Sequence, residues 1–161
     1  EIKLVHGASG MKGVALDFVD YGYNFRMSEL QAIMGLKQLQ KLDDIVDERN
    51  DIRQAYIEQL APLGYRPQYL ADGVRHNVQS LVFVVPSQVD RDGLISHLKS
   101  KGIESTIGTY ALSTTTYYRN RYNSVQANSN QLNDNTITLP CYNGVDLMSV
   151  VAGIATYSVG K

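Results

Sequence analysis

Gly22-Tyr23-Asn24-Phe25-Arg26-Met27-Ser28-Glu29-Leu30-Gln31-Ala32 joins an irregular lead-in to the most strongly periodic stretch of the chain. Ser28 followed three residues later by Gln31 has the spacing of a capping box, so the sequence predicts a helix from about Ser28. The first N–H groups of such a helix have no partner inside it and favour negative charge. Asn24 and Arg26 stand immediately upstream and add an amide and a guanidinium. The stretch therefore has two readings: a corner for a phosphate or carboxylate, or a turn residue followed by a solvated charge.

Downstream, Leu30, Ile33, Met34, Leu39, Leu42, Ile45, Val46, Ile52, Tyr56 and Leu60 recur close to helical spacing. The run exceeds the usual helix length, so one long helix or a break near Leu42-Asp43-Asp44 is expected, with Gly64 as the stop. Ala32, Met34 and Gly35 in its first half permit close approach of another helix. Residues 47–59 alternate charge with apolar anchors, as a one-sided surface helix does.

Ser80-Leu81-Val82-Phe83-Val84-Val85 before Pro86 reads as a buried strand. Asp90 opens a helix running to Lys101, with Leu94, Ile95 and Leu98 inward and Gly102 ending it. Residues 103–107 read as a second strand, and residues 108–135 as a long polar loop with one helix around 125–133. Residues 136–139 alternate as a third strand. A final helix from Asp146 carries Met148, Val151, Ile154 and Ala155. Residues 1–22 are expected to be loop, with a short strand at Ile2 to Val5. This order predicts an α+β fold with helices on one face of a small sheet.

The chain has 161 residues, 15 Lys plus Arg against 16 Asp plus Glu, and a net charge of −1. That balance does not suggest nucleic acid or an anionic membrane as a partner. The longest apolar runs fall far short of the roughly 20 residues that span a bilayer. Cys141 is the only cysteine, which excludes an intramolecular disulfide and fits a reducing cytoplasm. Leu139-Pro140-Cys141-Tyr142 places it as a small apolar residue rather than a nucleophile. The chain opens at Glu1, so a processed form or a piece of a longer protein is expected.

His6, His76 and His97 are too scattered for a metal site, and His97 is expected to be solvated. Nucleophile-elbow, zincin, P-loop and dinucleotide-binding motifs do not occur. Tyr117-Tyr118-Arg119-Asn120-Arg121-Tyr122 interleaves aromatics with arginines, which can stack a base and hold its phosphates. A small nucleotide-bearing ligand suits a neutral chain better than a polymer; a plain structured loop is the competing reading.

Residues 22–32, followed by Gly35-Leu36 and Gln38-Leu39, closely resemble the DegT/StrS family of pyridoxal-phosphate-dependent sugar aminotransferases. Asp90-Arg91-Asp92, Gly102-Ile103, Gly108-Thr109-Tyr110-Ala111-Leu112 and Leu139-Pro140-Cys141-Tyr142 follow in the family's order. The resemblance implies the C-terminal portion of a fold type I enzyme. Residues 1–42 would be the tail of the large cofactor domain, and residues 43–161 a small α+β domain with a mostly antiparallel sheet. His6-Gly7 looks like the His-Gly that follows the cofactor lysine segment, so the Schiff-base lysine would lie upstream of Glu1. Lysines 3, 12, 37, 41, 99, 101 and 161 do not stand in its setting. No catalytic residue is therefore assigned on the chain, which alone should be inactive.

The resemblance further implies that Asn24 reaches the pyridoxal phosphate of the neighbouring subunit in a homodimer, with Arg26 supporting the same corner. The family's Tyr-Pro-x-His element appears as Tyr110-Ala111-Leu112-Ser113, with serine in place of histidine. Tyr110 and Ser113 are thereby expected to face the substrate, a keto sugar that is nucleotide-linked and receives nitrogen from an amino acid; the Tyr117–Tyr122 cluster falls where such enzymes approach that sugar, which adds Tyr117. Two alternatives remain open: a sugar dehydratase of the same family, and a non-catalytic α+β module for ligand binding or dimerisation. Without a large domain, residues 27–42 should lack their normal packing partner.

Overall fold

The computed structural model describes residues 25–159, with side chains described through Tyr157. Its contacts divide the chain into two units, Glu1–Gln40 and Lys41–Lys161. In the first, helix α1 spans Glu29–Leu39 and begins as the spacing predicts. Gln31 N–H donates to Ser28 Oγ at 3.3 Å, while Ser28 N–H donates to Gln31 Oε1 at 2.9 Å. No residue of α1 is buried: Leu30, Ile33, Met34, Leu36 and Leu39 are all exposed. The short strand expected at Ile2 to Val5 lies outside the described residues.

In the second unit, helix α2 spans Leu42–Leu60. The interruption thus falls at Gln40 and Lys41, just before the Asp43-Asp44 pair, whose charges suit the first turn of a new helix. Val46, Tyr56 and Leu60 are buried on one side of α2. A 3-10 turn, Ala61–Leu63, follows it, and Gly64 takes the left-handed conformation at φ 86° that favours glycine.

Strand β1 (Arg66–Pro67) was not foreseen, being two residues long and defined only by its pairing. Strands β2 (Leu81–Val84), β3 (Thr106–Ile107) and β4 (Thr136–Leu139) complete a sheet of order β1-β2-β4-β3. All its pairings are antiparallel. Leu81 stands opposite Leu139 and Phe83 opposite Ile137, so these four share one face. They join Tyr56 and Leu60 of α2, Leu94 and Leu98 of α3 (Arg91–Ser100), and Val150 and Ile154 of α6 (Leu147–Val159) in one core. Three helices thus cover the apolar face.

The expected strand over 103–107 shortens to two residues because Ile103 is still tied to α3. Gly102 turns at φ 77°, and Ile103 N–H donates to Leu98 O at 3.0 Å, closing the helix end. The polar stretch 108–135 is not mainly loop. It holds a 3-10 turn (Leu112–Thr114), helix α4 (Thr116–Tyr122) and helix α5 (Ala127–Asn135). Helix α4 is supported by contacts one turn apart: Tyr118 stacks on Tyr122 with ring centres 6.0 Å apart. Asn123, at φ 43°, ends it.

His97 departs from its expected solvation. It is half-buried, its Nε2 lies 3.1 Å from Gly153 O, and its ring centre is 5.3 Å from that of Tyr157. The sequence sets it on a helix between Ser96 and Leu98 but cannot show the neighbouring α6.

Asp146 heads α6 as the sequence predicts. Its carboxylate accepts from Ser149 Oγ at 2.6 Å and Ser149 N–H at 3.1 Å, and these bonds hold its pKa below the ordinary 3.8. A depressed carboxylate pKa stabilises the fold above the unfolded-state value, and this contribution disappears as pH falls through the folded-state value. The thermal midpoint of the wild type should therefore exceed that of Asp146→Asn at neutral pH, and the gap should close in acid below 3.8. A gap unchanged across that range would count against the carboxylate cap.

Candidate functional site

The residues assigned to substrate lie on the connection between β3 and β4. It starts at a close approach. Gly108 N–H donates to Thr136 O at 3.0 Å, and a Cβ on Gly108 would lie 2.6 Å from both Thr136 Cβ and Val82 Cγ1. Only glycine permits that contact without displacing the sheet. Tyr110 then projects outward, 70% exposed, while Ala111 is buried and donates its N–H to Asn133 Oδ1 at 3.1 Å.

The 3-10 turn is laced by its own hydroxyls, with Thr114 Oγ1 donating to Ala111 O and Thr115 Oγ1 to Leu112 O, each at 2.8 Å. Ser113 Oγ reaches Asn130 Oδ1 at 3.3 Å. Asn130 and Asn133 lie three residues apart on α5 and so share a helix face. Between them they hold the turn that carries Ser113. Sequence reading missed both, because an Asn-rich polar helix gives no sign of which amides face inward.

Tyr117 opens a tyrosine–arginine cluster on α4 and packs edge-to-face on Tyr118 with ring centres 5.2 Å apart. Arg121 donates from Nε to the Tyr122 hydroxyl at 3.1 Å and from Nη1 to the Tyr117 hydroxyl at 3.5 Å. Arg119 turns instead to Thr114 O at 2.7 Å. A cavity of about 250 Å³ opens beside it, lined by Ser113, Thr114, Arg119, Asn123, Ser124 and Asn130, among others. Ser113 thus lines a concavity together with Arg119 and Val125; Tyr110 and Tyr117 lie outside that lining. The arrangement offers aromatic faces, hydroxyls and charged donors, a set suited to a polar ligand with an anionic group. A larger open groove of about 1100 Å³, with Lys101, Glu104, Thr106, Tyr142 and Ser149 in its lining, contains none of the assigned residues.

Of the residues assigned to cofactor, Arg26 stands exposed two residues ahead of the Ser28 cap. The cap satisfies the N–H of Gln31, and Ala32 N–H bonds Ser28 O, which leaves Glu29 and Leu30 N–H without partners inside the helix. Donors thus stand on the side from which the chain enters α1, chemistry that fits an anionic phosphate. Asn24 and His6-Gly7 lie outside the described residues.

Cys141 is half-buried, and burial pushes its thiol pKa up, away from the thiolate a nucleophile needs. Among the described residues no cluster of His, Cys, Asp or Glu could hold a metal ion, and no helix is long and apolar enough to cross a membrane.

The profile of the DegT/DnrJ/EryC1/StrS aminotransferase family matches residues 4–154. GDP-perosamine synthase of Vibrio cholerae is 30% identical over 126 residues, which make up 76% of this chain and 34% of that protein. Among solved structures, a DegT DnrJ EryC1 StrS aminotransferase from Brucella abortus matches with a TM-score of 0.75 and 25% identity, over 92% of this chain and 40% of its own. The E. coli GDP-4-keto-6-deoxy-D-mannose-3-dehydratase with bound hydrated PLP matches with a TM-score of 0.70 over 88% of this chain and 38% of its own; at 20% identity that likeness is one of fold. The chain therefore spans between 34% and 40% of the length of these relatives.

Proposed function

The chain belongs to the DegT/DnrJ/EryC1/StrS aminotransferase family, and we propose that it is the C-terminal part of a pyridoxal-phosphate-dependent enzyme that aminates a nucleotide-linked keto sugar, with an amino acid as nitrogen donor. The 30% identity to GDP-perosamine synthase supports a nucleotide-linked substrate. Pyridoxal phosphate, when bound, supplies the amino-transfer chemistry. In this reading Asn24 and Arg26 hold the phosphate of a partner subunit in a cytoplasmic homodimer. The lysine that takes the cofactor lies outside residues 1–161, and the chain alone does not transaminate. Tyr110 and Ser113 contact the sugar.

The observation that carries the substrate assignment is the Tyr117–Tyr122 cluster: Tyr117, Tyr118 and Tyr122 are exposed, ordered against one another and flanked by Arg119 and Arg121. An ordered aromatic face accepts a base at low entropic cost. Stacking of a base on an aromatic ring contributes about 1–3 kcal/mol, so Tyr117→Ala in the intact enzyme should raise KM for the nucleotide-linked sugar by about 5-fold to 160-fold and change kcat less. An unchanged KM would remove Tyr117 from the site.

A further inference from the structure

We infer that Arg91 is a positioning residue for Tyr110 and Ser113, acting through the C-terminal end of α5. Arg91 opens α3 and is only 9% exposed. One nitrogen, Nη1, donates to Asn133 O at 2.7 Å and to Thr136 O at 2.9 Å, while Nε bonds Asp92. The two carbonyls belong to the two residues from which the Gly108–Ala111 stretch hangs: Thr136 O takes the N–H of Gly108, and the Asn133 side chain takes the N–H of Ala111. Tyr110 lies between those anchors. A single buried cation therefore grips both supports of the residue assigned to the sugar.

The grip has a physical basis. The last carbonyls of a helix lack partners inside it and carry the negative end of its dipole. In α5 several of them recruit donors of their own. Asn135 Nδ2 serves Gln131 O, Thr136 Oγ1 serves Leu132 O, and Val85 N–H serves Asn135 O. Arg91 supplies the donor for Asn133 O, and its charge is placed where the dipole favours it. Fixing Asn133 fixes the amide that receives Ala111, and three residues earlier on the same face Asn130 receives Ser113. Holding these groups in one geometry is what lets a binding segment meet its ligand without an ordering cost.

The functional half of this inference rests on the proposed substrate role of Tyr110 and Ser113; the brace does not. Amide hydrogen exchange on the 161-residue chain tests the brace. Asn133→Ala, which leaves Arg91 in place, should speed exchange at Ala111 about tenfold or more relative to the amides of β2 and β4. Asn133→Asp keeps the acceptor oxygen and should restore protection. Arg91→Lys, whose shorter side chain sets the ammonium back from the position of Nη1, should speed exchange at both Gly108 and Ala111. Unchanged local exchange in Asn133→Ala and Arg91→Lys would overturn the inference. In the intact enzyme the loosened variants should raise KM for the nucleotide-linked sugar more than they lower kcat. If exchange speeds up but neither Asn133→Ala nor Tyr110→Ala moves KM, the brace stands and the substrate role of the segment falls.

Discussion

Phe83→Ala is expected to lower the stability of the Lys41–Lys161 unit by about 3–5 kcal/mol, the range for removing a large aromatic side chain from a packed core. Phe83 is fully buried on the covered face of β2, opposite Ile137, with its ring centre 6.3 Å from that of Tyr56. It touches the point where α2 meets the sheet, so the backbone around it cannot easily collapse into the space left behind. The cost should appear in urea as a lower midpoint with an unchanged slope, since the surface exposed on unfolding hardly changes. A loss below about 1 kcal/mol would mean that the core is not packed as described.

Arg91→Met should cost about 2–4 kcal/mol, although methionine preserves much of the apolar stem. The loss arises from acceptors rather than from the ion pair. Asp92 is 79% exposed at its side chain and remains solvated when its partner is removed, so that contact contributes little. Asn133 O, half-buried, and Thr136 O, buried, by contrast lose a charged donor, and Thr136 O keeps only the Gly108 N–H. A change within about 0.5 kcal/mol, as for an ordinary surface substitution, would contradict this role.

The periodic elements were legible in the sequence. The stripe through Val46, Tyr56 and Leu60, the charge-free run at 81–84, and the glycines at 64 and 102 carry local signals that tertiary structure did not override. Strand β1 was not legible, since two residues beside a proline become a strand only by pairing with Phe83 and Val84. Helix α4 was hidden by a composition that reads as loop, and its stabilising contacts are aromatic and guanidinium pairs one turn apart.

The site divides in the same way. Tyr110 and Ser113 followed from a resemblance and Tyr117 from its place among interleaved tyrosines and arginines; all three stand on one short stretch of chain. What orders that stretch is long-range. Arg91 reaches residues more than 40 positions away, and Asn133 reaches back 22 positions to Ala111. Spacing within a helix cannot encode such partners; Arg91 reads only as the second residue of an Asp-Arg-Asp helix start.

Amination of a nucleotide-linked keto sugar can be tested by supplying the intact enzyme with pyridoxal phosphate, an amino acid carrying isotopically labelled nitrogen, and a panel of such sugars. Label should appear on a sugar carbon of the product, with the amino acid converted to its keto acid. A sugar that has lost water and gained no nitrogen would contradict it and identify the parent as a dehydratase.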